Sequence, residues 1–74
     1  MRILNWNCRG LGKSLAVQQC QKIALESKPT IIFLIETRLV QGKGSIIWEK
    51  CGFAEGWELP REGLSGGLML TWLP

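Results

Sequence analysis

The sequence predicts an α/β fold in which an opening β-α-β unit is followed by a β-hairpin, and three observations predict it. A short alternating run, RILNWN, leads through a glycine-containing loop into an amphipathic stretch. That stretch stops at a proline and gives way to the continuous apolar run IIFLI. Two further apolar runs, FAEGWEL and GLMLTWL, are separated by the turn-rich PREGLSG.

In RILNWN (2–7) the apolar Ile3, Leu4 and Trp6 suit a short strand. CRGLGK follows as a loop, with Gly10 and Gly12 freeing the backbone. Ser14 is the expected N-cap of a helix over LAVQQCQKIALESK. Val17, Cys20 and Ala24 share one face of that helix, with Ala16 and Ile23 beside it, while Gln18, Gln21, Lys22 and Lys28 point elsewhere. Pro29 stops it. TIIFLIET (30–37) is rich in β-branched residues, as a strand buried on both faces is. Strand, helix and strand in this order make a β-α-β unit with parallel strands and a right-handed crossover.

Residues 38–45 are polar and glycine-containing and predict a loop. SIIWEKCG predicts one short helix ending near Gly52, and the last two apolar runs predict an antiparallel hairpin. This layout leaves a deficit. IIFLI needs cover on both faces, and only one substantial helix is available. The expectation is therefore an incomplete structure, with residues 1–74 forming a single fragment from the start of a larger sheet domain.

Composition narrows the chemistry. At this size a chain buries only about 60% of its unfolded surface and is marginal unless stapled. Cys8, Cys20 and Cys51 are odd in number and far apart in sequence, and histidine is absent, so no zinc-ligand spacing exists. Reduced thiols packed as small apolar residues are expected. Asn5, Asn7 and Arg9 interrupt any secretory apolar region, and no apolar run approaches the roughly 20 residues of a membrane span. An intracellular chain with no membrane partner is expected. The net charge of +3 is small and scattered. Aspartate is absent too: the acids are glutamates at 26, 36, 49, 55, 58 and 62. A histidine base, a Ser-His-Asp triad or an aspartate metal cluster is excluded within this chain.

Ligands of open α/β sheets bind beyond the carboxyl ends of the parallel strands. Two polar side chains stand there, Asn7 closing the first strand and Glu36 closing the second. Mg²⁺ prefers one or two carboxylates with waters and phosphate oxygens, so Glu36 is a candidate ligand and Asn7 a candidate ligand or orienting amide. The bland alternative is a solvated strand terminus and a turn asparagine. A second motif competes for the same loop. Gly12, Lys13 and Ser14 match the end of a phosphate-binding loop, but Asn7 stands where its first glycine belongs, and no aspartate exists to hold its metal.

RILNWNCRGLG, then KPTIIFLIET, then SGGLMLTW resemble the start of the endonuclease/exonuclease/phosphatase superfamily. They are especially similar to endonuclease domains of plant LINE-type (non-LTR) retrotransposons. The resemblance covers most of the chain and implies a four-layer α/β sandwich (DNase I-like) with Mg²⁺-dependent phosphodiester hydrolysis, Mn²⁺ being a possible substitute. It implies that Asn7 contacts the metal site and the scissile phosphate, and that Glu36 is the metal ligand. Repair-type relatives carry an aspartate where this chain has Arg9, which makes Arg9 a candidate DNA-phosphate contact. Gly66 and Gly67 match a Ser-Gly-Gly turn with no chemical role. The family's Asp-x-Asn motif, its second aspartate and its Asp-His pair have no counterpart here.

The expectation is a truncated, catalytically incomplete relative of a DNA endonuclease, working in the nucleus if it functions, with DNA and the missing remainder of the domain as partners. The alternatives are a nucleotide-binding module built on Gly12–Ser14 and a small non-enzymatic interaction protein with an exposed apolar edge.

Overall fold

The computed structural model describes residues 1–73. Six elements follow one another: β1 (Ile3–Asn7), α1 (Ser14–Ser27), β2 (Ile31–Ile35), α2 (Gly44–Lys50), β3 (Glu55–Leu59) and β4 (Leu68–Trp72). The strands form one sheet in the order β1-β2-β4-β3. β1 and β2 are parallel, as a helical crossover requires, and β4 runs antiparallel to both β2 and β3. The expected hairpin therefore forms with its second strand placed in the interior, against β2.

The helices carry one correction. Lys13, extended at φ −89° and ψ 140°, is the N-cap of α1, and Ser14 is already helical. No side chain caps this end, because the residue in the half-in position is the lysine, which has no acceptor. At the other end Lys28 turns left-handed at φ 47° and donates its N–H to Ala24 O, immediately before Pro29. Cys20 and Ala24 are buried, and Ala16 and Val17 pack partly against the same core.

Register explains how the sheet divides its residues. Ile32 lies opposite Leu4 and Thr71, and Leu34 lies opposite Trp6 and Met69. Cross-strand partners share a face, and these residues meet both helices. Leu11, Cys20, Ile47 and Phe53 complete the core beneath them. Gly56, on that face opposite Thr71, is a glycine for want of space: a Cβ there lies 2.7 Å from the Trp48 ring of α2. Glu58, farther along β3, accepts N–H donations from Gly42 at 2.7 Å and Gly44 at 2.8 Å, tying β3 to the start of α2.

The other face is different. Ile31, Phe33 and Ile35 lie opposite Trp72, Leu70 and Leu68 of β4 respectively, and the edges add Ile3, Trp57 and Leu59. Ile3 is 65% exposed and Trp57 51%. Among the described residues both helices pack on the first face and this one is bare. The cover on both faces that IIFLI calls for is supplied on one face only.

Gly56→Ala is expected to lower the unfolding free energy by about 1–3 kcal/mol through overpacking against Trp48. Gly12→Ala, whose Cβ meets nothing within 4 Å, is expected to be neutral or slightly stabilising. Urea titrations followed by tryptophan fluorescence compare the two. Equal losses at both positions contradict this packing.

Candidate functional site

The carboxyl ends of β1 and β2 lie side by side. Asn7 and Ile35 are register partners, and Glu36 is the next residue. Backbone pairing outlasts both strands: Cys8 N–H donates to Ile35 O at 3.0 Å, Gly10 N–H to Glu36 O at 2.7 Å and Leu11 N–H to Thr37 O at 2.8 Å. On the opposite flank Thr37 N–H donates to Gly67 O at 3.2 Å and Arg38 N–H to Gly66 O at 2.8 Å. Residues 35–38 are thus held between the loop after β1 and the glycine turn before β4. Leu11 and Thr37, both almost fully buried, anchor the two sides.

The backbone is strained around this edge. Arg9 (φ 50°), Glu36 (φ 59°) and Arg38 (φ 55°) occupy the left-handed region, at a cost on the order of 1 kcal/mol each. The strand alternation therefore breaks at the residue that carries the carboxylate. Gly67 (φ 94°) serves this segment: a Cβ there lies 2.5 Å from Thr37 Oγ1 and 3.0 Å from Arg38 N. The glycine turn has no reactive group, yet it shapes the backbone on which Glu36 sits.

Glu36 is about one-third exposed, and its Oε2 lies 3.5 Å from Arg38 Nε. At that length and exposure the pair contributes less than about 1 kcal/mol, which leaves the carboxylate free to exchange partners. Asn7 is exposed on the bare face of the sheet, and Arg9 is exposed in the adjoining loop. Two guanidinium-bearing residues therefore follow the two polar strand-end residues. Arg38 had no signal of its own in the sequence beyond its place after Glu36-Thr37. Cys8 donates its thiol to Ile35 O at 3.3 Å, and burial pushes that thiol up from its ordinary pKa, so it stays a neutral donor.

Among the described residues no group of three or more His, Cys, Asp or Glu is arranged to hold a metal ion. Glu58 is engaged with Gly42 and Gly44, and Glu26 lies 4.0 Å from Lys22. One carboxylate and one amide at a strand edge suit a Mg²⁺ ion that keeps several waters, but they supply only part of a coordination set.

The phosphate-loop motif fares worse. A phosphate cradle needs loop amides pointing outward, and the N–H groups of Cys8, Gly10 and Leu11 are already donated to β2 and the residues after it. An open groove lies between α1 and α2, floored by Leu11, Val17, Leu39 and Ile47 and rimmed by Arg38, Lys43 and Lys50. Its lining contains no carboxylate, so it offers a hard cation no charged ligand.

No protein-family model matches the chain, and no curated protein matches it in sequence. Its fold, however, is similar to solved structures. Over 97% of its length it aligns with the 3′ phosphatase NExo from Neisseria bound to a product DNA hairpin, at a TM-score of 0.73 and 22% identity. The fold is DNase I-like. The 3′-5′ exonuclease NExo from Neisseria meningitidis aligns over the same share at a TM-score of 0.69 and 19% identity. The chain spans 27% of the length of each of these proteins.

Replacing Glu36 separates strain from chemistry. Glu36→Gly is expected to be more stable than Glu36→Ala by about 1 kcal/mol, because only glycine accepts φ 59° without penalty. Thermal and urea unfolding of the two variants give the difference. Alanine equal to or better than glycine removes the case for strain at this edge.

Proposed function

We propose that this chain supplies one corner of a magnesium-dependent phosphodiesterase site and does not hydrolyse phosphodiesters by itself. The observation that carries the reading is the juxtaposition of Asn7 and Glu36 at the carboxyl ends of adjacent parallel strands in a DNase I-like fold. In this reading residues 1–74 belong to the endonuclease domain of a LINE-type retrotransposon, with DNA as substrate and the nucleus as the place of work. The three sequence blocks ending in SGGLMLTW support that branch, and the DNA hairpin bound to one structural neighbour supports the substrate class.

Glu36 would hold Mg²⁺, or Mn²⁺ in its place, through a carboxylate oxygen, with the Asn7 amide orienting the ion or the phosphate. Bound there, the ion supplies stabilisation of charge on phosphate oxygens. Arg9 would offer a donor to the DNA backbone, and Arg38, beside Glu36, would offer a second. What the chain's own residues do is position: the strained, doubly hydrogen-bonded segment 35–38 presents the carboxylate with little freedom. No histidine or aspartate is present to take a proton from water. The bare sheet face supports the second half of the reading, that the remainder of a domain packs there. It equally favours a non-enzymatic interaction role for the isolated chain, which has the same apolar face to cover.

The purified chain is expected not to nick supercoiled plasmid above background with Mg²⁺ or Mn²⁺ at micromolar protein. Nicking that survives repurification and disappears in Glu36→Ala overturns the view that the chain is inert. Amide resonances around residues 7 and 36 are expected to broaden selectively with Mn²⁺, and Glu36→Gln to abolish the effect while circular dichroism stays unchanged. Broadening spread evenly over the chain sinks the metal assignment.

A further inference from the structure

Cys20 and Cys51 are 31 residues apart in sequence, and the fold brings their sulfurs to 3.6 Å. Both thiols are free. Cys20 sits in the middle of α1, buried against the sheet, and Cys51 caps the carboxyl end of α2, half-buried. The approach is held by backbone and by a neighbour. Cys51 N–H donates to Ile47 O and Trp48 O, both at 3.1 Å, and next to the thiol pair the Gln21 side chain donates to Lys50 O at 3.1 Å. Residues 20 and 21 of α1 thus face residues 51 and 50 of α2 in two adjacent contacts. A disulfide requires the sulfurs to close by about 1.6 Å.

We infer that Cys20 and Cys51 form an oxidation site, in which a peroxide converts the thiol contact into a disulfide that staples α1 to the end of α2. The two sulfurs divide the work. The thiol contact holds Cys51 below its ordinary pKa, while the same contact and burial push Cys20 up. Cys51 is also the more exposed of the two. The Cys51 thiolate attacks one peroxide oxygen: an S–O bond forms, the O–O bond breaks and hydroxide leaves, taking up the proton that Cys51 released. The Cys20 sulfur then attacks the sulfenic sulfur of Cys51. The S–S bond forms, the S–O bond breaks, and the hydroxyl departs with the Cys20 proton as water. Two thiols and one peroxide become one disulfide and two waters, and two electrons pass from sulfur to oxygen.

The third cysteine provides an internal control. Cys8 and Cys20 are only twelve residues apart in sequence. In an unfolded chain, loop closure favours Cys8–Cys20 over Cys20–Cys51 by about fourfold. The fold reverses that preference, because Cys8 donates to the backbone at the end of β2 while Cys51 touches Cys20.

The test treats the native chain with a slight excess of hydrogen peroxide, blocks remaining thiols and maps the peptides by mass spectrometry, with a parallel reaction in guanidinium chloride. The expected result in native buffer is a monomer that has lost two hydrogen masses, joins the Cys20 and Cys51 peptides and keeps Cys8 alkylatable. In denaturant, Cys8–Cys20 is expected to dominate. The oxidised chain is expected to melt at higher temperature than the reduced one, and dithiothreitol to reverse the shift. Cys8→Ser should leave the reaction intact and Cys51→Ser should abolish it. A native product dominated by Cys8–Cys20, by intermolecular disulfides or by overoxidised Cys51 overturns the inference.

Discussion

Residues 31–38 are hydrogen-bonded along both flanks, to β1 and the loop after it on one side and to β4 and the Gly66–Gly67 turn on the other. The rest of the structure depends on this doubly paired segment. It orients β1 in parallel, so that α1 must cross over one face, and it receives β4 in antiparallel, so that the terminal hairpin closes the sheet instead of standing apart. Where regular pairing ends, the flanking loops go on donating to the segment. That is how Glu36 and Arg38 are held at positive φ, a conformation that a loose loop abandons.

The same segment divides the molecule into unlike halves. Ile32 and Leu34 are fully buried beneath the helices, whereas Phe33 and its neighbours on the other side stay half-buried. The covered half is closely fitted: Trp48 lies on Gly56, the Glu58 carboxylate meets the start of α2, and Cys20 touches Cys51. The bare half is apolar along its two central strands and carries Asn5, Asn7 and Glu55 on its edge strands, a surface of the kind that elsewhere marks an interface or an aggregation risk. Among the described residues no helix covers the face that bears Asn7, and the polar edge beside it carries a single carboxylate, that of Glu36.

Much of this was legible in the residues. The β-α-β unit, the stop at Pro29, the short second helix and the terminal hairpin follow from periodicity and turn composition, because each depends on neighbours within a few positions. The placement of Asn7 and Glu36 at a common edge follows from the same reading, since parallel strands joined by a helix end on the same side. Other features were not legible. Leu11 lies in a loop and carries no periodic signal, yet it is fully buried because its N–H is drawn to Thr37 O. Lys13 rather than Ser14 is the helix cap, since the cap depends on where the backbone leaves the extended region, and propensity marks that only to within a residue.

The sequence by itself determined the elements, their order, the polar residues that end the parallel strands and the acids and bases that are missing, because these are properties of composition and local pattern. The tertiary structure alone decided which strand joins β2, which sheet face stays bare, why Gly67 and Gly56 admit no side chain, and that two cysteines 31 residues apart touch. Those outcomes are set by contacts between distant segments, whose register and spacing exist only after the sheet has formed.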